Sequence, residues 1–343
     1  MSAGPESSHT KIAALLGDID ASGSFSTRRT ASPDDLQIEV KGIGQLQIPT
    51  QDAQARALRR IARPARYGLR EQTFVDPTVR DTWEIPRSRV KIDKRRWSKT
   101  LLPILDGVAA DLGLPDGCRL VAKLHSMLVY TRGQFFGPHQ DSEKDDRMVA
   151  SLVVTLPGTF TGGSLVVEHH GERKVYRSLK DKLSFVAFYS DCRHEVRPVR
   201  SGHRVVLTYN LMLADADAGS APPVPGVHLA LADLLGKHFE TPIRSRWRDG
   251  EGPTPNRLVY LLDHQYTERG LNWTRLKGGD AVRAAALRVA ADRADCDIAV
   301  GPADIQETWS CPAEEGDGWH YRPRWNNYDD PDDMLDDGPV DPS

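Results

Sequence analysis

His139 and Asp141 stand two positions apart in FGPHQD, and His194 follows much later, at the head of HEVRPV. On an extended strand, residues two apart project to the same face. An imidazole and a carboxylate so spaced can share one metal ion. A second imidazole on the same face completes a two-His, one-carboxylate set, whose open positions suit Fe(II) in oxygen chemistry. The pair alone proves little. His238 and Glu240 have the same spacing, but they sit at a helix end, where residues two apart diverge, so they read as surface.

Arg204 lies ten positions beyond His194, inside HRVVLTYNL. If the open metal positions take a chelating dicarboxylate such as 2-oxoglutarate, its far carboxylate needs a cation deeper in the fold. Arginine offers a rigid two-pronged fork for that purpose. A guanidinium among apolar strand residues is costly to bury without an anion. The bland alternative is an outward-facing strand arginine.

These residues need a rigid frame. From Leu120 to Leu213 the chain reads as short strands rich in Val, Leu, Phe and Tyr, separated by Gly, Pro, Asp or Ser, the pattern of a sandwich or jelly roll. By parity along AKLHSMLVY, His125 and Tyr130 fall on opposite faces, so at most one looks inward. His169 and His170 read as hairpin-edge residues, Cys192 as a small buried filler, and Asp263 and His264 as structural.

YTRGQFFGPHQD, TGGSLVVEH, DKLSFVAFYSDCRHEVRPV and SGHRVVLTYNL together resemble the prolyl 4-hydroxylase-like branch of the 2-oxoglutarate/Fe(II)-dependent dioxygenases. The resemblance spans about residues 120 to 213 and implies a double-stranded β-helix. It implies His139, Asp141 and His194 as iron ligands and Arg204 as the 2-oxoglutarate anchor. Tyr130 matches a tyrosine that lines the co-substrate pocket, and Thr155 would be a second contact to the C5 carboxylate. Many members carry a Trp after the anchoring strand, a region where this chain has Tyr209. The implied cofactors are Fe(II), 2-oxoglutarate and O2, with ascorbate as a reductant. The implied reaction couples decarboxylation of 2-oxoglutarate, to succinate and CO2, with hydroxylation of an unactivated C–H. Related halogenases lack the carboxylate that Asp141 provides, so its presence implies hydroxylation, or desaturation or demethylation by the same chemistry.

The remaining chain divides into support and periphery. Residues 1–33 are small, polar and Ser-rich, which predicts a disordered arm. Residues 34–119 read as a support region: a hairpin over 36–48, a helix capped by Thr50 and running to about Ala62, and a helix from about Ser98 to Leu112. Between the helices, the basic run of residues 87–99 reads as a solvated rim. The catalytic core would span 120–213. Residues 214–327 open on a Pro-rich linker. They then alternate helix (227–238), strand (257–262), helix (280–293) and strand (296–300), the pattern of an appended α/β element. Trp309, Trp319 and Trp325 read as packing residues, and 328–343 as an acidic tail. The expected fold class is α+β, with a jelly-roll core buttressed by N-terminal helices.

Composition narrows the function classes. Net charge is −3 over 343 residues, which disfavours nucleic acid as a partner. No run of 18 apolar residues and no signal-peptide pattern is evident, and four cysteines form no CxxC pair; a cytoplasmic setting is expected. The partner is a protein or peptide side chain or a small molecule. Competing readings are a cupin-like metalloenzyme, which has no use for Arg204, and a non-catalytic β-fold binding module.

Overall fold

The computed structural model describes residues 7–19, 23–69, 72–115, 117–141, 145–214, 226–240 and 257–303. The strands that build the site are β1 (Ser26–Ala31), β2 (Arg63–Pro64), β3 (Arg80–Asp81), β4 (Trp83–Pro86), β5 (Leu120–Tyr130), β6 (Phe135–His139), β7 (Met148–Thr155), β8 (Leu165–His169), β9 (Glu172–Tyr176), β10 (Leu183–Tyr189), β11 (Arg193–Val196) and β12 (Arg204–Leu213). One sheet has the order β1-β10-β7-β12-β5-β4-β2 and the other β9-β8-β11-β6-β3. Every strand pairing within them is antiparallel.

The central strands β7, β10 and β12 are dense in Val, Leu, Phe and Tyr and buried almost throughout. That composition suits strands covered on both faces. Ser151 and Val153 of β7 and Arg204, Val206 and Thr208 of β12 face a cavity whose opposite wall includes Phe136, His139 and His194 of the second sheet. The other face is covered by the helix Lys94–Asp111.

Two further helices precede the core in support: α2 (Asp52–Ile61) and α3 (Lys94–Asp111). The start of α3 is set by Asp93, whose side chain accepts from the Arg96 amide at 3.2 Å, an N-cap bond. Its buried stripe is Trp97, Leu101, Leu105 and Val108. Trp97 stacks on Phe185 of β10 with 5.8 Å between ring centres. The Tyr189 hydroxyl donates to the Leu112 carbonyl at 2.6 Å, so the last residue of β10 is tied to the C-cap of α3. Helix α2 begins after Gln51 without a side-chain cap bond, so Thr50 is not its cap. The expected hairpin forms, with Ile38 opposite Leu46, and a third strand, Val90–Ile92, adds to it. The basic run is mostly a solvated rim as expected, with Arg87, Lys91, Lys94, Arg95, Arg96 and Lys99 exposed. Arg89 instead donates to the carbonyls of Ile61 and Lys41 at 2.9 and 3.0 Å.

Both ends of the chain depart from expectation. Where residues 1–33 suggest a disordered arm, helix α1 (Ser8–Gly17) and strand β1 form. β1 extends the first sheet by pairing with β10. Its polar residues are accounted for: Thr27 and Arg29 both donate to the carboxylate of Asp111 on α3, Arg29 through Nε at 2.9 Å and Nη2 at 2.7 Å. Ile12 and Leu16 of α1 pack against two late helices, α4 (Val227–Glu240) and α5 (Gly278–Arg293), through Leu231, Leu235, Ala286 and Ala290.

The expected C-terminal strands are absent among the described residues, and the described part of the appended element is helical rather than α/β. Residues 257–262 do alternate, with Leu258 and Tyr260 packed on the helix cluster and Val259 and Leu261 exposed. No strand edge meets them, and the amides that follow are captured by side chains. The Asp263 and His264 amides donate to the Asp280 carboxylate at 2.8 and 3.0 Å. The expected strand at 296–300 begins instead in a helix C-cap, where the Cys296 amide donates to the Ala291 carbonyl at 2.9 Å. Asp295 has φ 52°, the left-handed residue of such a cap. The Pro-rich linker, Trp309, Trp319, Trp325 and the acidic tail 328–343 lie outside the described residues. No described helix is long and apolar enough to cross a membrane.

Candidate metal and co-substrate site

His139 of β6 and His194 of β11 are direct cross-strand partners. Asp141 lies just past the end of β6 rather than on it, so it reaches the pair by the turn of the chain and not by strand alternation. The result is the convergence that the spacing suggests. The His139 Nε2 is 3.8 Å from one Asp141 oxygen, and the His194 Nε2 is 3.8 Å from the other. All three ligand atoms lie within 4.8 Å of one another. Donors that each bind one ion at about 2.1 Å stand roughly 3–4 Å apart, so the set fits a common metal.

Local backbone bonds orient the donors. The Nδ1 of His139 meets the Gly137 carbonyl at 2.9 Å, and the Nδ1 of His194 meets the Cys192 carbonyl at 3.1 Å. A carbonyl there holds the proton on Nδ1 and leaves Nε2 as the ligand atom. The Ser151 hydroxyl of β7 donates to Asp141 Oδ2 at 2.5 Å. Burial and the neighbouring His194 push the His139 imidazole down to about 3, so it is neutral and able to ligate. Burial alone would raise the Asp141 carboxyl. The interactions with the neighbouring His194 and His139 imidazoles and the Ser151 bond outweigh it and hold the group below the usual carboxylate range.

Arg204 opens β12 and pairs with Tyr130 across the ladder to β5. It is 1% exposed, lines the same cavity, and its guanidinium carbon lies 5.2 Å from the Tyr130 ring centre. Its Nη2 donates to the Thr155 hydroxyl of β7 at 3.3 Å. Its Nε and Nη1 have no partner. Burial pushes the guanidinium below its ordinary value. A buried cation with two orphaned donors is costly and calls for an anion. Tyr130 and Thr155 thus stand beside Arg204.

Three features of the site have no local mark in the sequence. The first is a β-bulge: Leu124 pairs with Tyr209 but Ser126 with Thr208. The extra residue is His125, so the alternation slips by one, and His125 lines the cavity together with Tyr130. This corrects the expectation that parity lets only one of them face inward. The second is Gln140, whose amide donates to the Asp191 carbonyl at 2.7 Å. That bond ties the turn carrying His139 and Asp141 to the turn carrying His194.

The third is a second His–Asp–His group, His169, Asp191 and His264. The Asp191 carboxylate accepts from His264 Nδ1 and the Gln265 amide, each at 3.0 Å, and Lys277 Nζ stands 3.6 Å away. With those three partners it already has its counter-charge, so the group reads as a clamp rather than a metal centre. His169 stacks on His264, so it has more contacts than a hairpin-edge residue needs, while Asp263 and His264 are held by hydrogen bonds to Asp280 and Asp191. Cys192 is fully buried, as expected of a filler.

The comparison with known families decides the chemistry of this segment: residues 125–212 match the model of the 2OG-Fe(II) oxygenase superfamily. The segment is a 2OG-Fe(II) oxygenase domain. The enzyme is accordingly a dioxygenase, and its cofactors are Fe(II) and 2-oxoglutarate. No curated protein matches the chain. Among solved structures, the chain is similar to a 2OG-Fe(II) oxygenase family oxidoreductase from Burkholderia pseudomallei, at 19% identity over 62% of this chain and 93% of that one, with TM-score 0.32. It is similar to a prolyl-4-hydroxylase from Pseudomonas putida, at 20% identity over 58% and 98%, TM-score 0.36. It is also similar to a prolyl hydroxylase from Trichoplax adhaerens in complex with a hypoxia inducible factor oxygen degradation domain peptide fragment, at 13% identity over 60% and 90%, TM-score 0.35.

Proposed function

We propose that the enzyme hydroxylates an unactivated C–H of a peptide side chain or a small molecule, with a catalytic core over residues 120–213 folded as a double-stranded β-helix. O2 and 2-oxoglutarate are consumed. One oxygen atom enters the substrate, the other enters succinate, and CO2 leaves. The single observation that carries this reading is the buried guanidinium of Arg204, with two unpartnered nitrogens, in the lining of the cavity that also holds the His139–Asp141–His194 set. A cupin-like metal site would leave that charge without purpose.

In this reading His139, Asp141 and His194 hold Fe(II), which supplies the oxygen-activating chemistry when bound. Arg204 takes the C5 carboxylate of 2-oxoglutarate through its free Nε and Nη1, the Thr155 hydroxyl steadies the guanidinium, and Tyr130 walls the pocket. Phe136, Phe188 and Leu165 keep water from the iron side. No disulfide joins the described cysteines to one another, which supports a reducing, cytoplasmic setting.

Adding 2-oxoglutarate to the anaerobic Fe(II) protein should produce the visible metal-to-ligand charge-transfer band. Folded protein that binds iron and shows no band would sink the proposal. Gly163 offers a second check. It has φ +63°, and a Cβ placed there would lie 2.8 Å from Arg204 Cδ and 3.0 Å from Val199 Cγ2. Gly163→Ala should therefore cost about 1–2 kcal/mol of stability for the left-handed backbone and weaken 2-oxoglutarate by displacing its anchor. Titration of the band measures the second effect, and unchanged affinity would place the co-substrate away from Arg204.

A further inference from the structure

Among the described residues, Arg204 is not the only arginine of the cavity wall that forms no salt bridge. Arg80 of β3 pairs across the sheet with Phe136 of β6. Its guanidinium carbon sits 4.4 Å from the Phe136 ring centre, and that ring stacks on His139 at 3.5 Å. The cation is therefore within about 8 Å of a ligand imidazole. One nitrogen, Nη1, donates to the Arg66 carbonyl, and the buried Nε has no partner. The adjacent carboxylate, Asp81, is engaged elsewhere, accepting from Gln134 at 2.6 Å. Among the described residues no salt bridge includes Arg80. Arg66, exposed at the rim, lines the same cavity.

The charge balance of the cavity points the same way. Among the described residues its lining carries three guanidinium groups, Arg66, Arg80 and Arg204, against one carboxylate, Asp141. Bound Fe(II) would add two positive charges and 2-oxoglutarate would remove two. A surplus of two positive charges remains, concentrated at Arg80 and Arg66. In a partly desolvated cavity such a surplus attracts an anion and repels a cation. Arginine's fork suits a carboxylate in particular.

We propose that Arg80, with Arg66 beside it, is the subsite that recognises the substrate, and that the substrate presents a free carboxylate a few bonds from the carbon that is oxidised. This rests on the oxygenase reading above and narrows it to small carboxylic acids or a chain-terminal carboxylate.

The test is equilibrium dialysis of the anaerobic Fe(II)–2-oxoglutarate protein against two matched pools, the free and N-acetylated amino acids and their carboxamides, with mass-spectrometric readout. The expected result is at least one acid retained tenfold or more over its amide. In Arg80→Gln that preference should fall to near parity while the charge-transfer band keeps its intensity and titration midpoint. Arg80→Lys, which keeps the charge but not the fork, should retain part of the preference. Equal retention of acids and amides, retention of neither, or an acid preference that survives in Arg80→Gln would each overturn the proposal. So would an Arg80→Gln protein that loses 2-oxoglutarate itself, because the guanidinium would then serve the co-substrate. A wild-type protein with no band fails at the earlier step, and the two failures are thereby distinct.

Discussion

Arg204→Met should weaken 2-oxoglutarate binding by roughly thirty- to several-thousand-fold while leaving Fe(II) affinity within about threefold of wild type. The range follows from the 2–5 kcal/mol typical of truncating one partner of a buried, hydrogen-bonded charge pair, at tenfold per 1.4 kcal/mol. Iron affinity is spared because His139, Asp141 and His194 take their orientation from Gly137, Cys192 and Ser151 and none from Arg204.

The same substitution should act in the opposite direction on the protein without co-substrate. Arg204 is 1% exposed, and two of its nitrogens have no partner. Replacing an uncompensated buried cation by an unbranched apolar chain removes a desolvation cost, so apo stability should rise by about 1–4 kcal/mol. Thermal unfolding with and without 2-oxoglutarate reads both effects at once. The wild type should gain stability from the ligand, whereas the variant should start higher and gain almost nothing. An apo variant less stable than wild type would mean that the guanidinium is already satisfied and is not waiting for an anion.

Much of this site is legible in the chain because its parts are local. The ligand pair His139 and Asp141 is separated by one residue, and the distal His194 and Arg204 lie on strands whose apolar composition announces them. Helices α3 and α5 are likewise visible from their own stripes. What escapes sequence reading is non-local. β1 is a polar hexapeptide, STRRTA, and it becomes a strand because the edge of β10 and the Asp111 carboxylate wait for it. α1 has two buried apolar residues of its own and depends on helices more than 200 positions away. The alternation of residues 257–262 is real, but a strand also needs an edge to join, and none is offered. The bulge at His125 comes from a register slip between paired strands, which a single strand's pattern does not contain.

The clamp at Asp191 is the extreme case of such non-locality, and its loss should be the costliest change to stability. Asp191→Asn is expected to destabilise the protein by roughly 3–5 kcal/mol, the scale for breaking a buried pair and leaving its partner charged. The side chains of Asp191, His264 and Lys277 are only 4%, 7% and 3% exposed, so solvent screening is slight. The dependence on pH has a definite sign. Burial would raise the Asp191 carboxyl, but the His264 hydrogen bond, the Lys277 charge and the Gln265 amide outweigh it and hold the group well below its ordinary range. A carboxyl depressed in the folded state contributes its full stability above its unfolded pKa, about 3.9. It loses that contribution as pH falls further, toward the folded value. Denaturant unfolding should therefore show a wild-type advantage over Asp191→Asn that is constant above about pH 5 and shrinks steadily below pH 4. The injury should also reach the iron. Asp191 offers its carbonyl to Gln140, which sits between two ligands, and Cys192 next to it orients His194. Supporting groups of this kind typically change metal affinity by about 10–100-fold. Loss of stability with unchanged iron affinity would show that the clamp fastens the C-terminal helices and nothing more, whereas loss of both would make the late helical segment part of what holds the ligands in place.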